Sequence, residues 1–227
     1  MEQLPFIDVE FVDNPEPRCP CVLLLDVSYS MQGAPIDALN EAIQQFKDEL
    51  LQDRLASKRV EVAVVTFGEN VRPVHEFVTP DNFFPEEFVV NGATPMAEAV
   101  VKGNQLLDAR KAQYREAGIS YFRPWMFLIT DGIPTDINTH YWEEAKTVVR
   151  NGEENKHLLF FGVAVTDADQ RVLDELCPLN RPSLKMRGLS FRELFSWLSA
   201  SLRTVSSNTP GGQTSLPPTD SWTSIDI

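Results

Sequence analysis

Asp26, Ser28 and Ser30 stand at alternate positions directly after the apolar run Val22-Leu23-Leu24-Leu25. One carboxylate and two hydroxyls on a short loop offer three oxygen ligands, the donor type that hard divalent cations take. The run itself, preceded by Cys19-Pro20-Cys21, reads as a strand buried on both faces. In an open α/β sheet, ligands bind beyond the carboxyl ends of the strands, and Asp26 falls at such an end. Two other residues invite the same chemistry. Asp131 follows a second apolar run, Trp125 to Thr130, and Thr94 opens a helix after the glycine-containing stretch Asn91-Gly92. Each segment alone has a plainer reading: Asp-x-Ser-x-Ser and Asp131-Gly132 as turns, Thr94 as a helix N-cap. Together, three noncontiguous segments at strand ends supply three hydroxyls and two carboxylates.

The elements that must position these groups alternate along the chain. Ile36, Leu39, Ile43, Phe46 and Leu50 recur at helical spacing, with Gly33 and Pro35 at the helix start. Val60 to Phe67 is a second buried strand. Val71 to Val78 contains Pro73, which marks an edge strand, here a hairpin return and so antiparallel. Residues 79–93 read as a loop, and the helix opened by Thr94-Pro95 carries Met96, Val100 and Leu107 on its apolar face. A mixed polar connection is expected over 111–124. A helix over about 140–150, a strand over 157–165, a short helix near 169–176 and a weak strand near 183–187 follow. A last amphipathic helix over 190–203 presents Phe191, Leu194, Phe195, Leu198 and Leu202. This alternation predicts an α/β fold: a mostly parallel central sheet, one antiparallel edge strand, and helices on both faces.

The ends differ from the middle. Residues 1–17 form an extension rich in Pro and acids, in which Phe6-Ile7, Val9 and Phe11-Val12 suggest a short edge strand. The central domain spans 18–204. Residues 205–227 contain no Lys or Arg and are dominated by Ser, Thr, Pro and Gly, which predicts a flexible tail with Leu216-Pro217-Pro218 and Trp222 as isolated anchors.

The 227 residues carry a formal charge of −13, which argues against nucleic acid or an anionic membrane as the main partner. No apolar run approaches the roughly 18 residues of a membrane span, and the first residues lack the basic and apolar regions of a signal peptide. A cytoplasmic setting with reduced thiols is the expectation for Cys19, Cys21 and Cys177. His75, His140 and His157 are scattered, so no zinc site is expected.

The complete set Asp26, Ser28, Ser30, Thr94 and Asp131 resembles the metal-ion-dependent adhesion site of von Willebrand factor type A domains, in order and in spacing. The resemblance covers roughly residues 18–203. More narrowly, Arg18-Cys19-Pro20-Cys21, Gly92-Ala93-Thr94-Pro95-Met96 and Thr130-Asp131-Gly132-x-Pro134-Thr135-Asp136 are similar to the bacterial cytoplasmic TerY/YegL-type branch. Tyr29 replaces the Gly often found within Asp-x-Ser-Gly-Ser, at a position that is not a ligand. The resemblance implies a Rossmann-like fold with Mg²⁺ at its upper edge. The two serines and the threonine would bind the ion directly, and the aspartates directly or through water. Mn²⁺ is a possible substitute. One coordination position would remain for a Glu or Asp of a partner protein. The narrower likeness implies partners in bacterial stress or signalling systems, including protein kinases and metal-dependent serine/threonine phosphatases of the PP2C type.

Two other functions are weighed against this. A phosphatase or phosphotransferase of the haloacid dehalogenase type also has an Asp after its first strand, but needs a second carboxylate two residues later; here that residue is Ser28. No Gly-x-Ser-x-Gly elbow or Gly-x-x-x-x-Gly-Lys phosphate loop occurs. The expectation is a binding module without enzymatic activity. The remaining alternative is a structural scaffold with a vestigial metal site.

Overall fold

The computed structural model describes residues 9–166 and 168–223. Strands and helices follow in the order α1 (Val9–Asp13), β1 (Cys19–Asp26), α2 (Ala34–Leu51), α3 (Ala56–Arg59), β2 (Val60–Phe67), β3 (Val71–Val78) and α4 (Met96–Glu116). They continue with β4 (Trp125–Thr130), α5 (His140–Glu154), β5 (Leu159–Ala164), α6 (Gln170–Asp174), β6 (Leu184–Lys185) and α7 (Phe191–Ser206). The six strands lie in the order β3-β2-β1-β4-β5-β6. All neighbouring pairs are parallel except β2–β3, which is antiparallel, so the Pro73 strand is the edge expected.

Every residue of β1, β2 and β4 is buried, as strands covered on both faces require. The strands' alternation divides the core in two. Cys19, Cys21, Leu23 and Leu25 join Ile43 and Phe46 of α2 and Phe195 and Leu198 of α7 on one face. Val22 and Leu24 join Val100 and Leu107 of α4 and Trp142 and Val149 of α5 on the other. The chain winds from β1 outward to β2 and β3, then returns to β1's other side for β4. Strand order therefore reverses at the carboxyl ends of β1 and β4, the point where open α/β sheets form their ligand crevice. Among the described residues no helix is long and apolar enough to cross a membrane.

Three segments differ from the sequence expectation. Val9–Asp13 is a helix, not an edge strand; Phe6-Ile7 lies outside the described residues. Phe11 is buried against the Tyr114 ring, with the guanidiniums of Arg18 and Arg110 5.4 and 4.9 Å from its centroid. Residues 111–116, expected in a polar connection, extend α4 instead. Their helical face is anchored by polarity rather than by apolar residues. Arg110 and Tyr114 reach inward to Glu61, as does Arg18 from outside the helix, so a fully buried carboxylate is shared by two guanidiniums and a phenol.

The tail is the third difference. Trp222 is fully buried, its ring 5.6 Å from that of Trp197, and Leu216 packs on the same core. Trp197 Nε1 donates to Pro217 O at 2.8 Å, and Thr223 forms an antiparallel bridge with Met186 beside β6. The low apolar content of the tail hid this, because two large side chains entering one groove suffice to hold a polar segment.

Candidate functional site

Asp26 ends β1 with its side chain fully buried. The Ser28 amide donates to its Oδ1 at 2.8 Å and the Thr130 hydroxyl to its Oδ2 at 2.5 Å. A buried carboxylate is thus held from its own loop and from the end of the adjacent strand. Ser28 Oγ and Ser30 Oγ lie 2.9 Å apart, and Ser30 Oγ donates to Asp131 Oδ1 at 2.6 Å. Asp131 follows β4 directly, one strand over from Asp26. The alternate spacing in Asp-x-Ser-x-Ser brings both hydroxyls to one side as the chain turns into a single 3-10 turn at Tyr29–Met31.

Thr94 arrives by a different route. The Asn91 amide donates to Val27 O at 2.7 Å and the Tyr29 amide to Gly92 O at 3.2 Å, so the 91–94 segment is pinned along the serine loop. Gly92 has φ +62, and a Cβ there would meet Glu69 N at 2.2 Å, so the close approach of the two loops requires glycine. Thr94 does not cap α4: the N-cap position is Pro95, and it makes no side-chain cap hydrogen bond. A Cβ placed on Gly132 would come within 2.9 Å of Thr94 Oγ1 and 3.4 Å of Asp26 Oδ2. The absence of a side chain at 132 leaves a small cradle that the hydroxyl and the carboxylate share.

All five sequence-predicted residues therefore gather at one edge. Three further residues belong with them and were present in the sequence motif without a role. Thr130 orients Asp26, and Gly132 makes room. Buried Asp136 accepts the Glu98 amide at 2.9 Å, and the Thr135 amide donates to Thr94 O at 3.0 Å, which ties the loop after β4 to the first turn of α4. The signal for all three was the compact run Thr130-Asp131-Gly132-x-Pro134-Thr135-Asp136.

The electrostatics are those of an underneutralised pair. Burial raises the Asp26 carboxyl to about 6 against the opposing hydrogen bonds from Ser28 and Thr130, and the Asp131 charge adds to the rise. Burial also raises Asp131, with the Ser30 hydroxyl opposing. Among the described residues neither carboxylate has an ion pair with Lys, Arg or His. The described residues also contain no group of three or more His, Cys, Asp or Glu that could hold a metal. What converges is two carboxylates and three hydroxyls, a donor set of hard oxygens with low total charge, which suits Mg²⁺ or Mn²⁺ rather than zinc. Tyr29 and Ile133 stand beside this cluster, each 66% exposed.

Residues 21–192 match the family model of the von Willebrand factor type A domain. The pilus adhesin SpaC from Lactobacillus rhamnosus GG, in its open conformation, superposes with a TM-score of 0.65 at 13% identity, covering 83% of this chain and 30% of that one. The PilB minor pilin from Streptococcus sanguinis gives a TM-score of 0.59 at 11% identity over 82% of this chain and 62% of its own. The ArnB paralog VWA2 from Sulfolobus acidocaldarius gives 0.52 at 14% identity over 82% and 45%. The chain spans less than two-thirds of each of these structures, and at such identities the likeness is one of fold. No curated protein sequence matches it significantly.

Proposed function

The chain belongs to the von Willebrand factor type A family, and from that membership we propose a metal-ion-dependent protein-interaction module. Ser28, Ser30, Thr94, Asp26 and Asp131 would hold Mg²⁺, or Mn²⁺ in its place. The observation that carries this reading is the continuous oxygen chain from Ser28 through Ser30 to Asp131, at 2.9 and 2.6 Å, beside a buried Asp26 that has no cationic partner among the described residues.

When bound, the cation supplies an electrophilic centre that attracts an external carboxylate. The chain's own residues do the rest. Thr130 and the Ser28 amide fix the orientation of Asp26, so its oxygens need no reorganisation. Gly132 leaves space for the Thr94 hydroxyl beside it. Tyr29 and Ile133 offer exposed apolar surface next to the cluster, a rim that excludes water from a partner's carboxylate. With a net charge of −13, the protein favours a partner that presents one Glu or Asp within a neutral or basic surface. The narrower TerY/YegL-type motifs support a bacterial cytoplasmic setting, with a protein kinase or PP2C-type phosphatase as the partner class.

A binding module is favoured over a phosphotransferase because position 28, where acid/base chemistry would need a carboxylate, is a serine hydrogen-bonded to Ser30. Calorimetric titration with Mg²⁺ tests the site. Asp26→Ala should abolish binding and leave the circular dichroism spectrum nearly unchanged; equal affinity in both proteins would remove the site. Partner capture with and without EDTA then separates an interaction role from a vestigial scaffold.

A further inference from the structure

At the end of the sheet opposite Asp26, where β4 and β5 begin, a cleft of about 910 Å³ opens between the sheet, the C-terminal part of α4 and the segment 209–216. The chain carries a formal charge of −13, yet this cleft gathers Lys111, Arg115, Arg123, Lys156, His157 and Arg181. Two carboxylates answer them. Asp108 pairs with Lys111 at 2.7 Å, and Glu153 is shared by Arg123 at 2.7 Å and Arg181 at 2.5 Å. Arg115 and Lys156 have no ion pair among the described residues, so positive charge remains in excess.

The two central guanidiniums are held in place with donors to spare. Arg123 donates from Nε to Leu158 O at 2.8 Å and from Nη2 to Glu153, while Arg181 lies 5.0 Å from the Phe161 ring centroid and donates from Nη1 to Glu153. Among the described residues, Arg123 Nη1 and Arg181 Nε and Nη2 have no hydrogen-bond acceptor. Their side chains are each 27% exposed. Fixed guanidinium forks with free N–H groups match the geometry of phosphate oxygens.

We propose that this cleft binds a small phosphorylated molecule with two or more phosphate groups, either a nucleoside polyphosphate or a short polyphosphate chain. Its volume falls within the range of small-molecule sites, and its cations are spread around the walls so that more than one phosphate can be met. Pro124, Leu159 and Leu216 add apolar wall for an uncharged part of the ligand. A nucleic acid is disfavoured, because an extended polyanion would meet the acidic remainder of the surface. Burial, and then the neighbouring Arg181, hold the Arg123 guanidinium below its ordinary range while Glu153 opposes them. An anion entering beside the pair offsets that crowding.

The test is a calorimetric titration of the full chain in EDTA, which keeps the metal edge out of the measurement, with ATP, ADP and tripolyphosphate as probes. Binding by ATP or tripolyphosphate is expected with Kd below about 1 mM. The double variant Arg115→Glu/Lys156→Glu, both positions exposed, should weaken it by about tenfold or more with the melting temperature unchanged. Arg181→Gln should weaken it as well, through the loss of the forked donor. Tighter binding of ATP than of tripolyphosphate assigns the nucleoside form, and equal affinity assigns the polyphosphate chain; both support the site. Absence of binding by all three probes overturns it. So does binding that survives the double charge reversal, or tighter binding of a phosphate-free acidic peptide.

Discussion

Replacing Trp222 by Ala tests whether the C-terminal segment is part of the folded body. The indole is fully buried, packs against Trp197 and lies in the core shared by α2 and α7. Truncating such a residue costs about 3–5 kcal/mol through lost burial and the cavity left behind. One observation reduces this. The buried Trp222 Nε1 has no hydrogen-bond partner among the described residues, a desolvation cost of about 1–3 kcal/mol that the alanine variant no longer bears. The middle of these ranges leaves a net loss of about 2 kcal/mol, which for a domain of this size lowers the melting temperature by about 4–8 °C. Trp222→Phe keeps an aromatic ring and removes the unpartnered N–H, so it should lose clearly less than the alanine variant. The assay is thermal unfolding followed by far-UV circular dichroism, alongside a chain lacking residues 207–227. A shift under about 2 °C in both the alanine variant and the truncation would refute the reasoning. It would restore the flexible tail that composition alone suggests.

Three other outcomes follow from particular contacts. Gly132→Ala places a methyl 2.9 Å from Thr94 Oγ1, forcing the hydroxyl out of its position; Mg²⁺ affinity should fall about three- to tenfold, the equivalent of an off-rotamer cost, and unchanged affinity in calorimetry would contradict the cradle. Glu61→Leu leaves the buried guanidiniums of Arg18 and Arg110 without their shared carboxylate, a loss of about 3–5 kcal/mol in urea unfolding. A loss below about 1 kcal/mol would show that the network is dispensable. Burial raises the Cys19 and Cys177 thiols from 9.0 to about 12 in the folded chain and raises Cys21 as well. Stability contributed by these neutral thiols is complete below pH 9.0 and is lost as pH rises toward about 12, because the unfolded chain releases the protons first. Cys19→Ala should therefore flatten the decline in urea stability between pH 8 and 10, and an unchanged slope would contradict the assignment.

The sheet, and the placing of carboxylates at its edge, could be read from the chain alone. A strand buried on both faces must be an unbroken apolar run, so β1, β2 and β4 announce themselves locally, and a carboxylate at the end of such a run has to sit at the sheet's edge. Asp26 and Asp131 were legible for that reason, and Ser28, Ser30 and Thr94 through the motif that all five complete. Tertiary structure decided which groups touch. Ser30 reaches Asp131 across 101 residues, and Thr130 reaches Asp26 across 104, distances in sequence that no local period encodes. The same holds where polarity replaces apolar patterning. The end of α4 is anchored by Arg110 and Tyr114 on Glu61, and a segment of mostly Ser, Thr, Pro and Gly is fixed by Trp222. A helical or strand period reports only a face that is apolar along its length. A single buried ion cluster or one inserted indole gives no period, so its partners exist only once the chain has folded.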